Sequence, residues 1–339
     1  MRVRASFWMI AGLVFTTLAS SACGQEKPAG KVRVDGSSTV FPITSAAAEM
    51  FHAEQPKIDV KIGVSGTGNG FKKFLDPSAD LRIDIADASR PIKAVEADKA
   101  RDLGVEYIEL PIGIDGMAVV VNPKNTFCEH LTVAELKKIW EPGSKITSWK
   151  DVRTGFPDVP LKLYGPGSED GTYDYFVEAV IGGGQKSTRS DYNASENDNT
   201  LVQGVAGDTG GLGFFGFCYF EANKTRIKLL GVDAGDGKPV KPTLETIRTN
   251  QYRPLSRPLF IYVNKAAAQR PEVAAFVNYL LTNGEKIVSH PKVGYVALPK
   301  ELYELGKKRF ESRTTGTMFA DPATHGKPLS EVYLKTATP

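Results

Sequence analysis

The sequence has few of the residues from which metal centres and covalent frameworks are built. Its 339 residues include three cysteines and four histidines. His52, His130, His290 and His325 are scattered without metal-ligand spacing, and each reads as a surface or satisfied structural histidine. No metal or other cofactor is expected. One long apolar run is present, Phe7–Leu18, and no second one follows. Excess charge is missing too: 42 Lys and Arg stand against 39 Asp and Glu. That balance argues against nucleic acid or a membrane surface as partner. Three familiar signatures each fail. Gly63-Val64-Ser65-Gly66-Thr67 is no nucleophile elbow, because Thr67 occupies the last glycine position. Gly182-Gly183-Gly184-Gln185-Lys186-Ser187 has the composition of a P-loop but not its spacing. Gly66–Phe71 has Phe71 where the third glycine of a dinucleotide site belongs.

The N-terminus reads as an export signal over residues 1–22. Arg2 and Arg4 precede the apolar run, and Ala19-Ser20-Ser21-Ala22 follow it. Ser20-Ser21-Ala22-Cys23 resembles a lipobox, with Cys23 as the lipidated residue, although Ser20 stands where leucine is usual. The alternative is ordinary cleavage, with Cys23 a spare thiol. Residues 23–30 form a polar tether. About 315 residues remain, enough for two domains. Without Arg2 and Arg4 the balance is 40 basic against 39 acidic residues, so any anion binding is local. Cys128 and Cys218 either pair, as exported cysteines can, or are core thiols beside apolar residues.

What is present is a repeated build: hydroxyls and glycine leading straight into a helix. Asp35-Gly36-Ser37-Ser38-Thr39-Val40-Phe41-Pro42, Ser65-Gly66-Thr67-Gly68-Asn69-Gly70 and Ser168-Glu169-Asp170-Gly171-Thr172 share it. Helix N-termini carry unpaired N–H groups and partial positive charge, and Ser or Thr adds a hydroxyl donor. One such cluster is a routine cap; three after strands suggest a shared oxyanion site. The spacing predicts strands at Lys31–Val34, Val60–Val64, Ile83–Ala86, Tyr107–Pro111, Gly116–Asn122, Leu161–Tyr164, Leu212–Phe217, Ile227–Leu230 and Leu259–Val263. Helices are expected at 42–52, after Gly70, and at 94–103, 131–140, 171–181, 200–205, 271–281 and 284–289. Thr132 and Glu135 form a capping box. The alternation indicates a mostly parallel α/β sheet with ligands at the strands' carboxyl ends. Arg90 could pair with the anion or make a surface ion pair. Arg189 is a weaker candidate beside it.

In this order, several motifs resemble the phosphate-binding component of Pst-type phosphate ABC transporters. They are Gly36–Pro42, Gly63–Gly68, Asp84–Pro91, Leu131-Thr132 with Ile139-Trp140, Gly165–Thr172 and Gly210–Phe214. The resemblance implies a type II periplasmic-binding-protein fold: two mostly parallel α/β domains joined by two crossover strands, ligand in the cleft. Gly113–Asn122 would be the outward crossover and Arg257–Asn264 the return. Domain 1 would comprise 31–113 and 258–339, and domain 2 residues 114–257. By position, the phosphate donors are Ser38, Thr39, Ser65, Ser89, Gly171 and Thr172, with Thr67 and Arg90 beside them and Gly66 and Ser168 less central. Two departures stand out. An aspartate that accepts the phosphate proton in the best-known branch is replaced by Arg90, and an arginine before the Gly-Thr segment is replaced by Pro166. Asp170 is then the expected proton acceptor, unless it merely caps the helix; Asp35 and Asp87 come next. The implied function is non-enzymatic: a monomeric, exported receptor delivering inorganic phosphate to ABC permease subunits, touching the membrane only through a lipid anchor. Alternatives are a sulfate or molybdate receptor, an exported sensor, or a serine hydrolase using Ser65 or Ser38. The polar tail after Arg309 either packs on domain 1 or stays loose.

Overall fold

The computed structural model describes residues 29–168, 170–182, 187–195, 197–319, 324 and 327–336. The expected signal, Cys23 and most of the tether lie outside the described residues. The strands are β1 (Gly30–Gly36), β2 (Ile58–Val64), β3 (Ile85–Ala88), β4 (Tyr107–Val121), β5 (His130–Thr132), β6 (Lys162–Gly165), β7 (Asn193–Ala194), β8 (Gly211–Gly216), β9 (Lys228–Leu229), β10 (Gly231–Asp233) and β11 (Ser256–Asn264). The helices are α1 (Phe41–Glu54), α2 (Thr67–Phe74), α3 (Ala94–Asp102), α4 (Val133–Trp140), α5 (Trp149–Val152), α6 (Gly171–Phe176), α7 (Asp198–Gly207), α8 (Phe217–Asn223), α9 (Leu244–Arg248), α10 (Pro271–Thr282), α11 (Gly284–Val288), α12 (Lys300–Glu311) and α13 (Leu329–Thr336).

The main sheet runs β2-β1-β3-β11-β4-β8-β6-β7, with β9 beside β4. β1 is parallel to β2 and β3, and β6 is parallel to β7 and β8. Between these parallel blocks lie β4 and β11, antiparallel to each other. The blocks form two halves of the molecule, and β4 and β11 are the strands that cross between them. Two strands were expected where β4 is continuous. Pro111 cannot donate to a ladder, yet the register slips opposite it, between Leu259 and Phe260, so the strand passes through.

Apolar side chains settle each half. Phe51 of α1 packs on Phe276 and Tyr279 of α10. In the other half Phe176 stacks on Phe214 at 3.8 Å, and Trp140 meets both edge-on. The capping box at α4 forms as the spacing predicts: Thr132 Oγ1 accepts from Glu135 N–H, and Glu135 accepts from Thr132 N–H. The helix expected over 171–181 is α-helical to Phe176 and then widens into a π-turn, Val177–Ile181.

The described residues of the tail pack on the strands before them. α12 is rich in charge and buries only Leu302, Tyr303, Gly306 and Phe310. Beyond it, the fully buried Glu109 carboxylate accepts from Tyr262 O–H (2.6 Å), Thr317 O–H (2.7 Å) and Met318 N–H (2.8 Å). The disulfide considered between Cys128 and Cys218 is not made; both are free thiols. Cys128 is buried with its thiol toward His130 O, whereas Cys218 sits against Gly294. No described helix is long and apolar enough to cross a membrane.

Candidate anion-binding site

Register brings the first clusters together. Gly36 lies opposite Val64 on one side and Asp87 on the other, so β1, β2 and β3 end side by side. Gly36 adopts φ +146°, and a Cβ there would fall 2.1 Å from Asp87 O. Only glycine fits this approach. Its carbonyl accepts from Ser65 N–H (3.1 Å) and Gly66 N–H (2.8 Å). Thr67 Oγ1 accepts from Ser89 N–H at 3.2 Å and lies 3.2 Å from Ser89 Oγ. Ser65, Gly66, Thr67 and Ser89 therefore make one wall. Ser65 donates its hydroxyl proton to Asp35 (2.6 Å), whose other oxygen takes the Lys73 ammonium. A hydroxyl has one proton to give, so in this arrangement it goes to Asp35. No histidine bonds Ser38 or Ser65 among the described residues.

The third cluster approaches from the other half of the sheet. Asp170 caps α6, its carboxylate accepting from Thr172 N–H at 2.6 Å. Gly171 abuts Thr39 so closely that a Cβ would lie 2.7 Å from Thr39 Oγ1 and 2.9 Å from its backbone. Thr39 Oγ1 is 3.4 Å from Gly171 O. Ser38 is half-buried beside this contact and Thr172 is buried, while Ser168 is exposed on the loop.

The charged group at the contact is Arg257, not Arg90. Arg90 forms a bidentate pair with Glu96, both bonds 2.8 Å. It lies over the Phe71 ring and lines a separate cavity of about 710 Å³ with Ile92, Lys93 and Arg101. Arg189 donates to Ile139 O and Ile146 O and pairs with Asp191, tying a loop to the end of α4. Both arginines are spent on structure. Arg257 instead donates to Thr39 Oγ1 at 3.0 Å and stacks 3.7 Å above the Tyr175 ring. Its other nitrogens lie 3.5 Å from Asp115 and 3.4 Å from Glu178.

Asp115 and Arg257 face each other directly in the β4–β11 ladder. Asp115 is 0% exposed, and neither carboxylate oxygen accepts a hydrogen bond. Arg257 Nε is likewise buried without one. Burial pushes the Asp115 carboxyl up to about 6, Arg257 opposing and Asp170 adding to the rise. Arg257 offsets part of the cost of burying this carboxylate, and both of its oxygens keep acceptor capacity. Asp87 is a second buried carboxyl, under the first cluster. It accepts from Thr44 O–H at 2.8 Å, leaves Oδ1 unpaired, and burial pushes it up to about 8. The Asp115–Arg257 pair was not singled out from the sequence. Its signal was there: one acid in the apolar run Ile112–Val121 and one base in the return crossover. Among the described residues no cluster of His, Cys, Asp and Glu could hold a metal.

A family model described as a PBP superfamily domain matches residues 21–283. The chain belongs to the PBP superfamily. Members of this solute-binding family are extracytoplasmic substrate-binding proteins. Protein SphX of Synechococcus elongatus is 46% identical over 303 residues, covering 89% of this chain and 87% of its own. The phosphate-binding protein PstS of Staphylococcus saprophyticus is 37% identical over 307 residues, covering 87% and 92%. Among solved structures, one described as a possible phosphate-binding protein of Planctomyces limnophilus superposes with a TM-score of 0.79. It is 46% identical and the match covers 85% of this chain and 99% of that one. The family accounts for two parallel blocks joined by a crossing strand pair.

Proposed function

We propose that this chain is an extracytoplasmic receptor that binds inorganic phosphate and delivers it to an ABC importer. The observation that carries the reading is the buried Asp115–Arg257 pair at the contact of Thr39 with Gly171. A dehydrated oxyanion needs many donors to replace its water. Arg257 supplies a charged one; in this reading Ser38, Thr39, Thr67, Ser89, Gly171 and Thr172 add hydroxyls and amides, and the Ser65 hydroxyl does so on turning away from Asp35. Asp115 adds a requirement. A buried carboxylate with acceptor capacity to spare favours a ligand carrying a proton, which phosphate has near neutral pH and sulfate and molybdate lack. The names borne by the PstS relatives favour the same ligand.

In this reading residues 31–113 with 258–339 form one domain and 114–257 the other, closing about β4 and β11 as a monomer. Lipidation at Cys23 would tether it outside the cytoplasmic membrane, and Cys23→Ala should then release it to the soluble fraction. The deciding experiment is calorimetric titration of ligand-stripped protein with phosphate, arsenate, sulfate and molybdate. Phosphate and arsenate should bind one to one, and phosphate should raise the melting temperature by mass action. An unchanged melting curve in millimolar phosphate would refute the reading.

A further inference from the structure

We propose that Asp35, backed by Lys73, sets the strength of phosphate binding by competing with the ligand for the Ser65 hydroxyl proton. The proposal rests on the phosphate reading above and concerns how tightly that site holds its ligand. Its first basis is that both Ser65 donors are already engaged. The N–H goes to Gly36 O (3.1 Å) and the hydroxyl to Asp35 (2.6 Å). Asn69 Nδ2 donates to Ser65 O at 2.9 Å, so the backbone is held on both sides and the hydroxyl is the part that can turn. An anion on the wall of Ser65, Gly66, Thr67 and Ser89 gains this donor only by taking it from a carboxylate.

The second basis is how firmly that carboxylate is placed. Asp35 is 8% exposed and lies opposite Gly63 in the β1–β2 ladder. A Cβ at Gly63 would fall 2.3 Å from Asp35 Oδ2, so glycine there leaves the carboxylate its room. Lys73, half in solvent, reaches that same oxygen from α2, the helix that begins at Thr67. Asp35 thus has one oxygen on Lys73 and the other on Ser65, and it acts on the ligand through Ser65. Both rivals for the Ser65 proton are anionic oxygens, and a hydroxyl bonds either with similar, charge-assisted strength. The exchange is close to even, and Lys73 tips it toward the ligand by drawing charge off Asp35. When phosphate leaves, the proton turns back to Asp35, so the empty site keeps no orphan hydroxyl at Ser65.

A double-mutant cycle, read by calorimetric titration of the intact, ligand-stripped chain with inorganic phosphate, tests this. In Asp35→Asn the amide oxygen faces Lys73 and the amide NH₂ faces Ser65, so the Ser65 hydroxyl is left to donate to the ligand. Asp35→Asn should therefore bind phosphate about tenfold more tightly than the wild type. Ser65→Ala should cost at least about fivefold more affinity in the Asp35→Asn chain than in the wild-type chain. An ion pair that merely pinned α2 to β1 would give no such coupling. Lys73→Met leaves Asp35 its full charge and should weaken binding, and adding Asp35→Asn should reverse that loss. Circular dichroism checks that each variant folds. A folded Asp35→Asn that binds no more tightly than the wild type, or an equal cost of Ser65→Ala in the two chains, would overturn the proposal. Should Asp35→Asn not fold, the same cycle with Lys73→Met decides: Ser65→Ala must cost less there than in the wild type, and an equal cost overturns the proposal. A wild-type chain that binds no phosphate is a different result: it would overturn the phosphate reading and this proposal together.

Discussion

Replacing Arg257 by alanine should separate recognition from folding. The guanidinium donates to Thr39, faces Asp115 and stacks on Tyr175. Removing a buried charged partner of a ligand costs about 2–5 kcal/mol. Phosphate affinity should therefore fall between about 30-fold and several thousand-fold. The loss of stability is bounded by Asp115. Its carboxyl stands at about 6 rather than 3.8, which already costs the fold about 3 kcal/mol at pH 7, at 1.36 kcal/mol per unit. Without Arg257 the group takes up a proton. Holding it neutral at pH 7 costs about 4 kcal/mol on the same scale. The added electrostatic penalty is thus about 1 kcal/mol, and the lost contact with the Tyr175 ring adds about 1 more. Denaturant unfolding without phosphate and calorimetry with it measure the two effects separately. Adding Asp115→Asn should restore stability without restoring affinity. A folded Arg257→Ala protein with wild-type affinity would refute this account of the site.

Arg90→Ala should change phosphate affinity by less than about threefold and cost about 1 kcal/mol of stability, because its partner is Glu96; calorimetry and unfolding check each part. Gly171→Ala should keep the fold yet weaken binding by more than about tenfold, since the new methyl meets Thr39 backbone at 2.9 Å; a circular-dichroism spectrum with a phosphate titration tests it. The ligand-free protein should be more stable at pH 5 than at pH 8. Asp87 and Asp115 are raised to about 8 and about 6 in the fold. The native state therefore binds more protons than the unfolded chain above pH 3.8, and stability is lost as pH rises toward those values. Melting curves across that range would show the opposite trend if the two carboxyls were ionised at low cost.

The sequence reading succeeded where the information was local. Hydroxyls and glycines beside strand ends marked three clusters, and register alone then aligned Gly36, Val64 and Asp87. The Thr132–Glu135 box was legible for the same reason: its bonds span three residues. The charge at the site was not. Arg90 stands next to Ser89, but Glu96, six residues on in the first turn of α3, claims it. Arg257 reaches Thr39 only because β11 folds back on β4, and that pairing sets Asp115 opposite it. The local signal was only a lone base at the start of the return crossover and a lone acid in an apolar run; their pairing is long-range. The continuity of β4 through Pro111 depended on a slip in the facing strand. α12 was missed because its many charges mask a narrow apolar face.

The return of the chain to its starting half has a consequence for the order of folding. α1 and β1 are made early, but the surface that covers them is made late. Phe51 waits for Phe276 and Tyr279, β3 waits for β11, and Glu109 waits for Tyr262, Thr317 and Met318. Until residues near 318 have been synthesised, the growing chain carries an unfinished core and a buried acid without its donors. Its early half cannot lock during elongation, because the last strand and helices to emerge supply the missing layer. The intact polypeptide, rather than either half of it, is therefore the smallest piece that completes both cores.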